Sequence, residues 1–134
     1  MSGPNRTYAP DAAAIERLAD AALARLPAEF RTLLDGVVLR VEEEADDEVL
    51  ASLALESPFE LTGLYSGRSL REANSFASGE LPPTIYLYRL ALLLEWVETG
   101  VALEDLVTHV IVHEVGHHFG LSDADMHALE DAVT

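Results

Sequence analysis

With 134 residues the chain is long enough for one domain with a real core and too short for two. Nearly half of it is hydrophobic, so disorder is not expected, and the absence of cysteine excludes a disulfide framework and any thiolate metal site. Eight basic against 24 acidic residues give a net charge of −16, which repels phosphate backbones and anionic lipid, so neither nucleic acid nor membrane is an expected partner.

Residues 1–10 are polar and carry Gly3, Pro4 and Pro10, so they are expected to form a flexible arm ahead of a single domain over 11–134. The arm lacks an apolar run behind a basic segment, so no signal peptide is expected. Nothing reaches the length of a transmembrane span, and the cytoplasm is the simplest address. From Asp11 an alanine-rich helix is predicted, with Ile15, Leu18, Ala22 and Leu26 on its apolar stripe. Pro27 breaks it, a short helical piece over Ala28 to Leu34 follows, and Asp35-Gly36 turns the chain.

Val37 to Val41 is β-branched and bounded by that turn, which predicts a strand. Six acids then fall within Glu42 to Glu48, read as a solvated, mobile loop because they lack the glycine and alternating spacing of a calcium loop. Val49 to Leu55 is ambiguous between helix and strand. Leu61 to Tyr65 is a candidate strand closed by Gly67, and Arg68 to Pro83 reads as a long loop. Thr84 to Tyr88 alternates, with aromatic and β-branched residues, and is the clearest strand; Pro82-Pro83 ahead of it suggests a position near a sheet edge. Arg89 to Glu98 is predicted helical, with Leu90, Leu93, Leu94 and Val97 inward.

Leu103 to Phe119 carries apolar residues around more than one face, which predicts a helix through the core. Its one polar stripe is Asp105, His109, His113 and His117, at successive spacings of four. Buried polar groups need partners, so this stripe must face a cleft or an ion. Gly116 inside the helix costs about 1 kcal/mol against alanine, and close approach of another backbone is the expected compensation.

Within this helix and just beyond it, His113 to Asp123 reads H-E-x-x-H-x-x-G-x-x-D. Histidines four apart on a helix are rotated by about 40° and rise by roughly 6 Å, so both imidazoles can converge on one ion. Glu114 lies beside them, close enough to address a water without being a ligand, as a hydrolytic zinc site requires. Gly120 suits the left-handed turn that ends a helix. Asp123 then brings a carboxylate that can complete a three-ligand site. It also suits the first position of a last helix over Ser122 to Thr134, with Ser122 and Asp125 as a capping box and Leu121 and Met126 as its staple. His127 and Glu130 share the face of Asp123 and compete with it as third ligand. His118, rotated about 100° from His117, is expected behind the ligands or in solvent.

On these residues, together with the strand Thr84 to Tyr88, the chain resembles the minimal zincin-like metallopeptidase family of bacteria from roughly Leu26 to Asp131. The resemblance implies an α+β fold: a single small domain in which a short mixed sheet packs against helices, with the H-E-x-x-H helix in the core and an edge strand beside the zinc cleft. It implies one zinc ion per chain, with His113, His117 and Asp123 as ligands and Glu114 as general base. The motif is also similar to that of the metzincins, but departs from it. Asp123 stands where their third histidine falls, and the only methionines, Met1 and Met126, offer no methionine turn.

The expected activity is zinc-dependent hydrolysis of peptide bonds, with the peptide extended along 84–88. Tyr65, Tyr86, Tyr88 and His109 are candidates to stabilise the oxyanion. The rival reading is a non-catalytic, zinc-stabilised binding module, closed by a fourth ligand from His109, His127 or Glu130.

Overall fold

Apolar residues on nearly every side make Leu103–Phe119 (α5) the axis of the domain, and it is buried along most of its 17 residues. Only Glu104, Asp105, His109, His113 and His117 are exposed on it, and the last four are the polar stripe at spacing four. Gly120 ends the helix at φ 69°, and the Leu121 amide closes back on the Gly116 carbonyl at 2.9 Å, the bond of a glycine-terminated helix. The computed structural model describes residues 6–67 and 82–133.

Around α5 lie α1 (Ala12–Ala24), α2 (Ala28–Leu33), β1 (Val38–Glu42), α3 (Asp47–Ser52), a 3-10 turn (Pro58–Glu60), β2 (Gly63–Ser66), β3 (Thr84–Tyr88), α4 (Arg89–Thr99) and α6 (Asp123–Val133). Asp11 caps α1 by accepting from the Ala14 amide at 2.8 Å. The fold is α+β with a three-stranded mixed sheet, as expected: β1 runs parallel to β3 and β2 antiparallel to it. Among the described residues no helix is long and apolar enough to cross a membrane.

Several expectations need correction. Thr84–Tyr88 is the central strand, in the order β1-β3-β2, so its amides and carbonyls are committed on both sides and it cannot take an extended peptide. The two prolines precede the strand and lack only an amide donor, which does not bar a central position; the Pro83 carbonyl still accepts from the Val38 amide at 2.9 Å. The acidic run is not a loose loop throughout. Asp46 caps α3 by accepting from Val49, and Asp47 and Glu48 occupy its first turn, where the helix dipole favours acids. Val49 to Ser52 is thereby helical.

On α4 the buried residues are Ala91 and Leu92, with Trp96 partly buried, whereas Leu94 is 37% exposed and Val97 75% exposed. Leucines at 90, 92, 93 and 94 leave the helix phase open in the sequence. The chain enters α4 directly from β3, and Arg89 is held by the Pro10 carbonyl at 2.7 Å and Glu43 at 3.0 Å, which fixes the rotation. The contact at Gly116 is a side chain and not a backbone: a Cβ there would meet Met126 Cγ at 2.7 Å. The loop expected over Arg68 to Pro83 falls mostly on 68–81, outside the described residues.

The sheet has two unlike faces. Ile85 and Leu87 of β3 enter the main core with α1 and α5, while Tyr86 and Tyr88 face a smaller cluster with Leu50, Ala91 and Leu64. On β2, Gly63 lies against α5. A Cβ there would stand 2.4 Å from Val110 Cγ1 and 3.2 Å from the Tyr86 carbonyl oxygen. Val110 is β-branched and cannot swing aside. Gly63→Ala is therefore expected to lower stability by about 1–3 kcal/mol in urea unfolding, and adding Val110→Ala should relieve part of that overlap. An unchanged unfolding midpoint in the single variant would refute the close approach.

Candidate active site

His113 and His117 stand one turn apart on the exposed stripe of α5, their ring centroids 4.8 Å apart and their planes at 69°. Glu114 is on the adjoining flank and only 5% exposed. Its Oε1 lies 3.1 Å from His117 Nδ1. The imidazole N–H donates and the carboxylate accepts, so the lone pair of His117 is on Nε2. β2 closes over Glu114 from the sheet side, since a Cβ on Gly63 would come 3.6 Å from Glu114 Cγ.

Asp123 is the first residue of α6, exposed, where the turn at Gly120 delivers it. It shares an open hollow of about 130 Å³ with His113, His127, Glu130, Val112 and Met126. Beside the hollow, His109 Nδ1 meets Glu130 Oε1 at 2.5 Å, and the His109 ring lies 6.2 Å from that of His113 at 25°. The structure thus pairs His113 with His117, and His113 with Asp123. It does not draw His113, His117 and Asp123 to one point, and among the described residues no three His, Asp or Glu side chains converge closely enough to hold a metal. In kind the donors suit zinc, two imidazole nitrogens and a carboxylate with no thiolate required.

Of the two places expected for His118, solvent is excluded. The residue is 2% exposed, and its Nδ1 shares a 2.8 Å hydrogen bond with Tyr65 Oη of β2. Nε2 is buried with no hydrogen-bond partner among the described residues. Burial pushes the His118 pKa below the ordinary histidine value, against a smaller opposing pull from the Leu33 backbone. A neutral ring here ties β2 to the motif helix. No local spacing signals this tie, because the partners are 53 residues apart. Tyr65→Phe strips the partner from His118 Nδ1 and should cost about 1–3 kcal/mol of stability by thermal or chemical unfolding. A loss below about 0.5 kcal/mol would show that the bond does not hold β2 in place.

A mixed three-stranded sheet lies over the H-E-x-x-H helix, with an edge strand laid on its glutamate, in an α+β domain. The model of the zincin-like metallopeptidase family matches residues 34–133, and the chain belongs to that family. No curated protein matches the sequence.

Proposed function

We propose that the protein is a zinc-dependent metallopeptidase, with one zinc held by His113, His117 and Asp123 and with Glu114 as general base. The observation that carries this reading is Glu114 itself. It is a carboxylate almost wholly removed from water, neither capping a helix nor, among the described residues, paired with an arginine, and it is turned toward the imidazole next along the exposed stripe. A structural site has no use for such a group. Zinc, when bound, supplies a Lewis acid that polarises a carbonyl and acidifies water. Glu114 would then accept the proton of the attacking water on its carboxylate and return it to the departing amide nitrogen. The hydrogen bond from His117 Nδ1 orients that carboxylate and leaves His117 Nε2 as the ligand atom.

The substrate strand moves with the sheet order. β2 is an edge strand that pairs only with β3 among the described residues, and it lies directly on Glu114. An extended peptide is therefore proposed to add to β2, where backbone hydrogen bonds would hold it beside the glutamate.

One observation favours the non-catalytic reading. His127 and Glu130 share the hollow of His113 and Asp123, enough donors to close a structural site. Elemental analysis decides part of this. One zinc per chain is expected, lost in His113→Ala and in His117→Ala, and retained in neither if the site is as drawn. Loss of zinc in His127→Ala or Glu130→Ala with retention in Asp123→Ala would move the third ligand.

Glu114→Gln separates the two functions. It keeps the size of the side chain and removes the proton acceptor, so zinc and folding should survive while peptide hydrolysis falls by about 10²–10⁴-fold. The native chain and the variant would be screened against one peptide library. Equal cleavage by both would remove Glu114 from the mechanism, and cleavage by neither with zinc bound in both would favour the binding module.

A further inference from the structure

The face of the sheet turned away from α5 holds a second hollow, of about 190 Å³, that the peptidase chemistry does not use. Glu42, Glu44 and Asp46 line it with the rings of Tyr86 and Tyr88, which are parallel to within 3° and 6.2 Å apart. Leu64 and Ser66 of β2 line it as well.

Its charges are poorly matched. Glu43, next in the chain, is paired with Arg89 at 3.0 Å. Among the described residues Glu42 pairs only with Arg40, at 3.9 Å with both side chains exposed, a pairing worth little. Asp46 spends Oδ1 on the Val49 amide, and Glu44 has no ion pair among the described residues. Tyr88 is the independent sign of a ligand. It is 3% exposed and lines the hollow, and its hydroxyl has no hydrogen-bond partner among the described residues. Burial, then the charge of Glu42, the neighbouring Tyr86 and the charge of Asp46, push its pKa up to about 12, so it remains a protonated phenol.

A metal ion does not fit this set. Calcium wants six to eight oxygens at about 2.3–2.6 Å, and among the described residues no three carboxylates come close enough to share an ion. A guanidinium is wider and planar, with five N–H donors in a fork, and can reach carboxylates too far apart for a metal. An ammonium on a long stem does so as a point charge, and both cations are attracted to tyrosine ring faces.

β2 connects this hollow to the candidate active site. Side chains alternate along a strand, so Gly63 and Tyr65 face α5 while Leu64 and Ser66 face the hollow. A peptide added to the outer edge of β2 would alternate in the same way, and every second side chain would lie on the face of the hollow. Strands are about 4.8 Å apart, which puts such a peptide about 10 Å from β3 and about 14 Å from β1, the strand of Glu42. Only a long side chain narrows that gap.

We propose that the hollow formed by Glu42, Glu44, Asp46, Tyr86 and Tyr88 is a subsite for an arginine or lysine side chain of the peptide substrate. Its role in substrate choice rests on the peptidase reading above; its binding of a cation does not.

The test titrates the full chain, with and without zinc, with N-acetyl-arginine amide and with its citrulline counterpart, which has nearly the same shape and no charge. The ring resonances of Tyr86 and Tyr88 are followed by NMR. The arginine compound should shift them saturably, in both zinc states and in His113→Ala, and the citrulline compound should not. Tyr88→Phe should weaken binding about twofold to tenfold. Glu42→Gln, Glu44→Gln and Asp46→Asn together should weaken it at least about tenfold, with Asn retaining the helix cap. Equal shifts by citrulline, native affinity in the carboxylate variant, or saturation by Ca²⁺ with none by arginine would overturn the subsite. Arginine binding in a chain that cleaves nothing would leave the subsite standing and remove the peptidase reading. Cleavage with no preference for basic residues and no arginine binding would do the opposite.

Discussion

The burial of α5 is the constraint from which the rest of the domain follows. Leu103, Leu106, Val107, Val110, Ile111, Val112, Val115 and Phe119 are all buried, each worth about 1.5–3 kcal/mol when taken from water. A helix apolar on that many sides must be covered on all but one, and α1, α4, α6 and the sheet supply the cover. What remains open is a single line of side chains, and that line carries His109, His113 and His117. These histidines are exposed because the rest of the helix around them is covered.

Close approach to this helix is made possible by two glycines of different kinds. Gly63 has no side chain to hold β2 away, so the edge strand settles on Val110 and Glu114. Gly116 leaves a groove on the opposite flank that Met126 fills, seating α6 and with it Asp123. Met126 is adaptable enough to fill such a gap without strain. The position of Asp123 beside His113 thus depends on a packing contact inside the motif as well as on the turn at Gly120.

Much of this was legible in the sequence because it is local. The bounds of α5, the stripe at spacing four, the turn at Gly120, the break at Pro27 and the β3 strand all follow from periods and punctuators within one turn or one strand. The failures were non-local. Pro82-Pro83 gives the start of β3 but not which strands flank it, and strand order is decided by the partners β1 and β2. The run of leucines on α4 gives a helix but not its phase, which Arg89 sets through Pro10 and Glu43. Nothing near His118 announces Tyr65, and nothing in the acidic run from Glu42 announces that Asp46 would cap a helix while its neighbours border the tyrosines of β3. The donor types of the candidate metal site were readable; the three side chains are not drawn to one point among the described residues.

The short strand β2 links the two sites through the period of a β-strand. Consecutive residues point to opposite faces, so a peptide paired with β2 in one register offers a given side chain to the acidic hollow and its neighbours to the face of Glu114. A slip of one residue exchanges the two sets. A basic side chain seated among Glu42, Glu44 and Asp46 would therefore do more than add affinity. It would choose between registers that the backbone hydrogen bonds of an edge strand cannot tell apart, and so determine which peptide bond lies beside Glu114. With only four residues, β2 supplies too few backbone bonds to fix a register alone, and a charge anchor on the opposite face of the sheet is a physical means of doing so.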